Sequence, residues 1–108
     1  MYKVRNVPYI AAKTSSSSIM ALNPEAGFTP GDKVHIYRKG QMLAIVKTDT
    51  PFEKNGWVKR GRPVPVLGYS SGYARIIFPV REQVQYGEKF FQYMDEQHPG
   101  VLFLERIE

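Results

Sequence analysis

The chain contains no cysteine among its 108 residues, which excludes disulfide bonds, thiolate metal sites and cysteine nucleophiles. It also lacks any apolar run approaching the roughly 20 residues that a membrane helix requires. The segment Met1–Lys13 has no apolar stretch of the kind found in signal peptides. From these absences we expect a soluble, cytoplasmic protein that does not bind membranes.

The sequence also offers little from which to build a catalytic site. His35 and His98 are the two histidines, and neither has the partner spacing of a Ser–His–Asp triad or of a metal site. No glycine-rich phosphate-binding loop occurs. Asp32 and Glu88 occupy equivalent positions in a repeat described below and are interpreted as turn-capping acids. We therefore predict a protein that is not an enzyme and that has no cofactor and no metal.

Composition favours one folded domain over residues 1–108. The apolar fraction of 43% and the charged fraction of 23% are typical of globular proteins and not of disordered chains. Two independent domains of about 50 residues would each have only a marginal core.

Acidic residues are missing from two long stretches, although the net charge is only +5. Residues 1–24 and 54–81 contain lysine and arginine but no aspartate or glutamate, whereas residues 82–108 are rich in acids. Basic segments of this kind neutralise phosphates, so they indicate nucleic-acid binding. The alternative interpretation is a solvated face on a basic protein.

The chain reads as two copies of one unit. The sequence PGDKV from residue 30 aligns with YGEKF from residue 86 at an offset of 56, and neighbouring segments follow with small shifts. The copies span about 1–51 and 57–108, and residues 51–56 form a linker whose Pro and Asn-Gly favour turns.

Each copy is predicted to consist mostly of strands. Alternation over Lys33–Tyr37 and the apolar run Met42–Val46 predict a hairpin, and Lys89–Met94 with Val101–Leu104 predict its equivalent. A further strand and one helical turn precede each hairpin, and an extended segment opens each copy. About four strands per copy, eight in all, would suffice to close a small barrel.

These motifs resemble the AbrB/SpoVT/MraZ type of swapped-hairpin barrel. The resemblance rests on RIIFP from residue 75, Arg81 in the following hinge, GEKF from residue 87, and PGDKV from residue 30. It implies an all-β fold with one or two short helices, formed as a pseudo-dimeric swapped-hairpin barrel from two tandem repeats. It also implies a transcriptional regulator that contacts double-stranded DNA through the early strands and hinges. The first copy departs from the pattern, with Ser18 and Leu22 where Arg75 and Pro79 stand in the second.

The predicted function is therefore DNA binding by a basic face, in a monomer that is itself a pseudo-dimer or in a homodimer. Three alternatives remain open at this stage. The basic face could dock on an acidic partner protein, as in a small interaction module or inhibitor. Tyr69 and Tyr73 could stack single-stranded DNA or RNA, and Ser15–Ser18 could contact a phosphate. The predicted nucleic-acid contacts are Lys3, Arg5, Lys13, Lys59, Arg60, Arg62, Arg75 and Arg81.

Overall fold

The fold is all-β, as the sequence predicts. The computed structural model describes residues 1–14, 16–52, 55–68 and 73–107, and in these ranges the only helical elements are two single 3-10 turns. No helix in the described ranges is long and apolar enough to cross a membrane. The elements are β1 (Tyr2–Lys3), β2 (Tyr9–Ile10), β3 (Ala12–Lys13), β4 (Ser18–Ala21), η1 (Pro24–Ala26), β5 (Lys33–Lys39), β6 (Met42–Lys47), β7 (Val58–Lys59), β8 (Val64–Pro65), β9 (Leu67–Gly68), β10 (Ala74–Phe78), η2 (Val80–Glu82), β11 (Lys89–Met94) and β12 (Val101–Ile107).

Two hairpins form the centre of the larger sheet. Gly40, with φ of 61°, allows the tight turn between β5 and β6. β11 and β12 form the equivalent hairpin, and β6 pairs antiparallel with β12, so that the four strands lie in the order β11-β12-β6-β5.

The opening strands of each half pair with the hairpin of the other half. β1 and β2 pair with β11, whereas β7 and β8 pair with β5. A second sheet, in the order β3-β4-β10-β9, joins the halves again through β4 and β10. The two halves therefore exchange strands reciprocally, and each hairpin is flanked by chain from the other half.

The strand count exceeds the sequence expectation because each opening segment is divided into short pieces. β1, β2, β3, β7, β8 and β9 have two residues each. Prolines interrupt these segments, since proline cannot donate a ladder hydrogen bond. The outermost strands are consequently short, which limits edge-to-edge pairing with other chains.

Both faces of the central hairpins are buried. Val34, Ile36, Leu43 and Ile45 point into the main core together with Leu102 and Leu104. On the opposite face, Ala44, Val46, Val101 and Phe103 form a smaller cluster. It is covered by Phe52 from the linker and by Trp57, which directly follows the linker. This double coverage explains why β6 and β12 are continuous apolar runs without alternation.

A candidate arginine cluster for nucleic acid

Two of the predicted contacts, Arg60 and Arg81, meet at a buried carboxylate. Glu82 is fully buried, and its Oε2 lies 3.2 Å from Arg60 Nε and 3.7 Å from Arg81 Nε. A third guanidinium, Arg38, places its Nη2 3.3 Å from Glu82 Oε1. We call Arg38, Arg60, Arg81 and Glu82 the arginine cluster. Because a buried charge is costly unless it is paired, Glu82 holds the three arginines together.

Backbone hydrogen bonds fix the same side chains more tightly. Arg81 donates from Nη2 and Nε to the Arg60 carbonyl, at 2.7 and 3.2 Å, and Arg60 Nη2 donates to the Arg81 carbonyl at 3.4 Å. Arg38 Nη2 donates to the Glu82 carbonyl at 3.0 Å. The guanidinium of Arg81 lies directly over Gly61, where a Cβ atom would collide with it. The absence of a side chain at Gly61 is thus a requirement of this arrangement.

The local sequence explains how these residues converge. Proline at position 79 ends β10 because it has no N–H for the ladder, and η2 begins at the next residue. η2 places Arg81 and Glu82 close to β5 of the first half, where Glu82 contacts Arg38. β7 lies beside β5 in the larger sheet, with Lys59 opposite Tyr37, so the next residue, Arg60, falls beside η2.

Arg38 was not among the residues predicted from the sequence. The predicted strand ended at Tyr37, whereas β5 continues through Lys39 and carries Arg38 toward η2. Its partner Glu82 is 44 positions away, in the other half. The strand exchange brings the two together, and no local spacing in the sequence reports that exchange.

The cluster keeps positive charge and unused donors. Three guanidinium groups share one carboxylate, which leaves a net charge of two. The arginine side chains remain 32–42% exposed. No described residue accepts a hydrogen bond from the Nη1 atom of any of the three. Oriented guanidinium donors of this kind bind phosphate oxygens.

A small apolar groove adjoins the cluster and is bordered by Arg62 and Arg81. It has a volume of about 330 Å³, and Val64, Leu67 and Ile77 are among its lining residues. Arg75 lies two residues before Ile77 on the same outward face of β10, and its backbone pairs with Leu67. Arg62, Arg75 and Arg81 therefore occupy one side of the molecule with the cluster.

The remaining predicted contacts lie elsewhere. Lys59 is exposed on β7, next to the cluster. Lys3 and Arg5 belong to the opposite edge of the larger sheet, where Lys3 lies over Phe91 and Arg5 over Tyr9 at 3.8 and 3.5 Å from the ring centroids. Lys13 lines a separate cleft. The structure thus brings together the second-half arginines and separates them from Lys3, Arg5 and Lys13.

The acids of the repeated Gly-acid motif form equivalent ion pairs. Asp32 lies 3.4 Å from Lys47, and Glu88 lies 3.0 Å from Arg106. The Thr29 backbone N–H donates to Asp32 and, with help from the Thr29 hydroxyl and Lys47, holds the pKa of this carboxyl below its usual value. In each half, the acid of this motif is therefore paired with a basic side chain. Within the described ranges, no group of three histidine, aspartate or glutamate side chains could hold a metal ion.

Two of the alternatives raised by the sequence fall partly outside the described ranges. Tyr69 and Ser15 are not among the described residues, whereas Tyr73, which directly precedes β10, is 44% exposed. Comparison with family models, curated proteins and solved structures found no match for this chain.

Proposed function

We propose that this protein binds duplex DNA through the arginine cluster and the adjoining Arg62, Arg75 and Lys59. The observation that carries the proposal is the convergence of three guanidiniums on the buried Glu82, with their Nη1 donors left without a described partner. A cluster needed only to pair Glu82 would not require three arginines, since one bidentate arginine can satisfy a carboxylate.

The mechanism is binding without chemistry. Glu82 and the backbone carbonyls hold the guanidiniums in place, so little side-chain entropy is lost when phosphates bind. Lysine and arginine displace counterions from the DNA, which gives the complex its affinity and makes it sensitive to salt. Arg62 and Arg75 lie where they can contact further phosphates or the guanine edges of the major groove. Phosphate contacts position the protein, and base contacts would supply any sequence preference.

The strand exchange supports a relation to swapped-hairpin regulators. β1 and β2 cross to β11 while β7 and β8 cross to β5, which is the reciprocal arrangement expected of two interlocked repeats. In our proposal, the two halves form a closed pseudo-dimeric barrel, and the protein acts as a regulator by occupying its DNA site. The second half supplies most of the contacts, since the first-half equivalent of Arg81 is Glu25.

The test is a fluorescence anisotropy titration of labelled random duplex and of the matching single strand, from about 50 to 200 mM salt. We expect the duplex to bind more tightly than the single strand, and affinity to fall steeply as salt rises. Tighter binding of the single strand would contradict duplex recognition and would indicate that bases stack on exposed aromatic side chains. Absence of binding to both would overturn the proposal and favour an acidic protein partner.

A further inference from the structure

A large cleft lies on the other side of η2 from the apolar groove. It has a volume of about 1020 Å³ and is bounded by the β3–β4 turn and by the segment that follows η2. Such a volume is at the upper end of the range for small-molecule sites. Lys13, Thr14 and Ser16 lie on one wall, and Val80, Gln83 and Tyr86 on the other.

Gln83 adopts a backbone conformation that glutamine rarely takes. Its φ is +55°, and within the described ranges it is the one residue other than glycine with positive φ. The equivalent position in the first half is Gly27, with φ of +76°, which adopts this conformation without strain. A strained residue in a cleft points to a role for its side chain.

Tyr86 and Lys13 are also different from their counterparts. Beside η1, Pro30 stands in place of Tyr86, and Gly68 stands in place of Lys13 because β9 pairs with β10 as β3 pairs with β4. A Cβ on Gly68 would lie 3.0 Å from Pro30 Cγ. Beside η2, Tyr86 of the second half is 71% exposed, and Lys13 of the first half is also exposed. The repeated fold therefore does not require these side chains, and the cleft, whose walls come from both halves, carries polar groups beside η2 that are replaced beside η1.

Three polar side chains of the cleft are available to a ligand. Among the described residues, none forms a hydrogen bond or ion pair with the side chains of Lys13, Gln83 or Tyr86. Glu88 and Arg106 neutralise each other at the base, which leaves Lys13 as the net charge. The cleft thus offers one cation, an amide that can both donate and accept, a hydroxyl-bearing turn and a flat aromatic ring.

We propose that this cleft binds one nucleotide, with the base stacked on Tyr86, the amide of Gln83 at the base edge and the phosphate at Lys13. Aromatic side chains stack any base, whereas a glutamine amide matches the donor and acceptor of adenine. Ser16 lies on the same wall as Lys13 and supplies a hydroxyl group near the phosphate, whereas the Thr14 hydroxyl already donates to the Ser17 carbonyl. The ligand is either a free mononucleotide or the unpaired end of a strand, which share this chemistry. The site is separate from the arginine cluster and does not depend on duplex binding.

Calorimetric titration with AMP, GMP, CMP and UMP tests the proposal, with adenosine and inorganic phosphate as half-ligands. We expect AMP to bind most tightly and each half-ligand to bind at least about tenfold more weakly. A 5′-phosphorylated oligoadenylate identifies the source, since a cleft that takes strand ends would bind it more tightly than AMP. If none of these ligands binds, the proposal is wrong.

Gln83→Gly is the decisive variant because it separates binding from folding. Glycine accepts the positive φ, so the melting temperature should not fall, while AMP affinity should drop by at least about tenfold and the preference for adenine should disappear. Tyr86→Ala should weaken all four nucleotides equally. Tyr2→Ala, at an exposed tyrosine on β1, is the control and should leave affinity unchanged. Wild-type affinity in both Gln83→Gly and Tyr86→Ala would overturn the assignment.

Discussion

At the residue scale, Gly61 makes room for the guanidinium of Arg81. Its φ is +74°, and the guanidinium of Arg81 occupies the space that a side chain would need. We expect Gly61→Ala to lower the free energy of unfolding by at least about 1–2 kcal/mol because of the left-handed backbone. Duplex affinity should also fall, since Arg81 is displaced from the Arg60 carbonyl.

Gly87→Ala separates the two effects in this experiment. Gly87 has φ of +89° with nothing within 4 Å of its would-be Cβ, so its substitution carries the backbone strain but moves no arginine. Urea denaturation should show comparable losses of stability, and only Gly61→Ala should lose DNA affinity. Equal affinities for the two variants would show that the placement of Arg81 does not matter for binding.

The lowered pKa of Asp32 leads us to expect that the protein loses stability in acid. That pKa is lowered in the folded state, chiefly by the Thr29 backbone N–H, so folding is stabilised while the carboxyl is ionised. That contribution is present above the unfolded pKa, near 3.8, and is lost as the pH falls through the lower folded value. Asp32→Asn should lower stability near neutral pH and reduce the further loss below about pH 4, as measured by urea midpoints. An unchanged acid dependence would assign the effect to other carboxyls, with Asp95 the next candidate.

At the element scale, Glu82 connects η2 to β5 and β7. Glu82→Gln keeps the size of the side chain but removes the buried carboxylate that pairs with the three guanidinium groups, so we expect the free energy of unfolding to fall by about 2 kcal/mol. Duplex affinity should also fall, even though the variant is more positive. Net charge alone would predict the opposite change in affinity, because removing an acid from a basic surface should strengthen DNA binding.

Glu25→Gln is the matched control for Glu82→Gln. Glu25 carries the same charge but is exposed on η1, and it takes no part in the arginine cluster. Its substitution should leave stability nearly unchanged and raise affinity slightly. If Glu82→Gln also raised affinity, Glu82 would not be orienting the arginines for DNA.

The elements that could be predicted from the sequence are those defined by local pattern. Alternation over Lys33–Tyr37 and the apolar runs near residues 42 and 101 predicted both hairpins, and the fold class is confirmed. The segment around Phe52 was read as linker alone, although Phe52 and Trp57 cover the outer face of the hairpins. The missing alternation in Met42–Val46 was the available signal, because a strand buried on both faces needs cover on each.

At the scale of the whole molecule, the exchange of strands determines what the sequence could reveal about the site. Arg60 and Arg81 stand out as bases in an acid-free stretch, so composition alone identified them. Arg38 and Glu82 lie in different halves and meet only because β7 and η2 cross to β5. Long-range pairings of this kind leave no periodic trace in one sequence. For the same reason we expect the chain to fold slowly for its size, since most residues that lie close together in the fold are far apart in the sequence.

The most direct test of the central claim is the salt dependence of duplex binding in Arg62→Glu compared with Lys89→Glu. Both residues are exposed and both substitutions change the net charge equally, but Arg62 borders the groove beside the cluster, whereas Lys89 begins β11. We predict that Arg62→Glu weakens binding at least about tenfold and lowers the slope of log K against log salt by about one or more, because a phosphate contact is lost. Lys89→Glu should leave that slope near the wild-type value. Equal slopes and equal affinities in the two variants would contradict the assignment of DNA binding to the face that carries the arginine cluster.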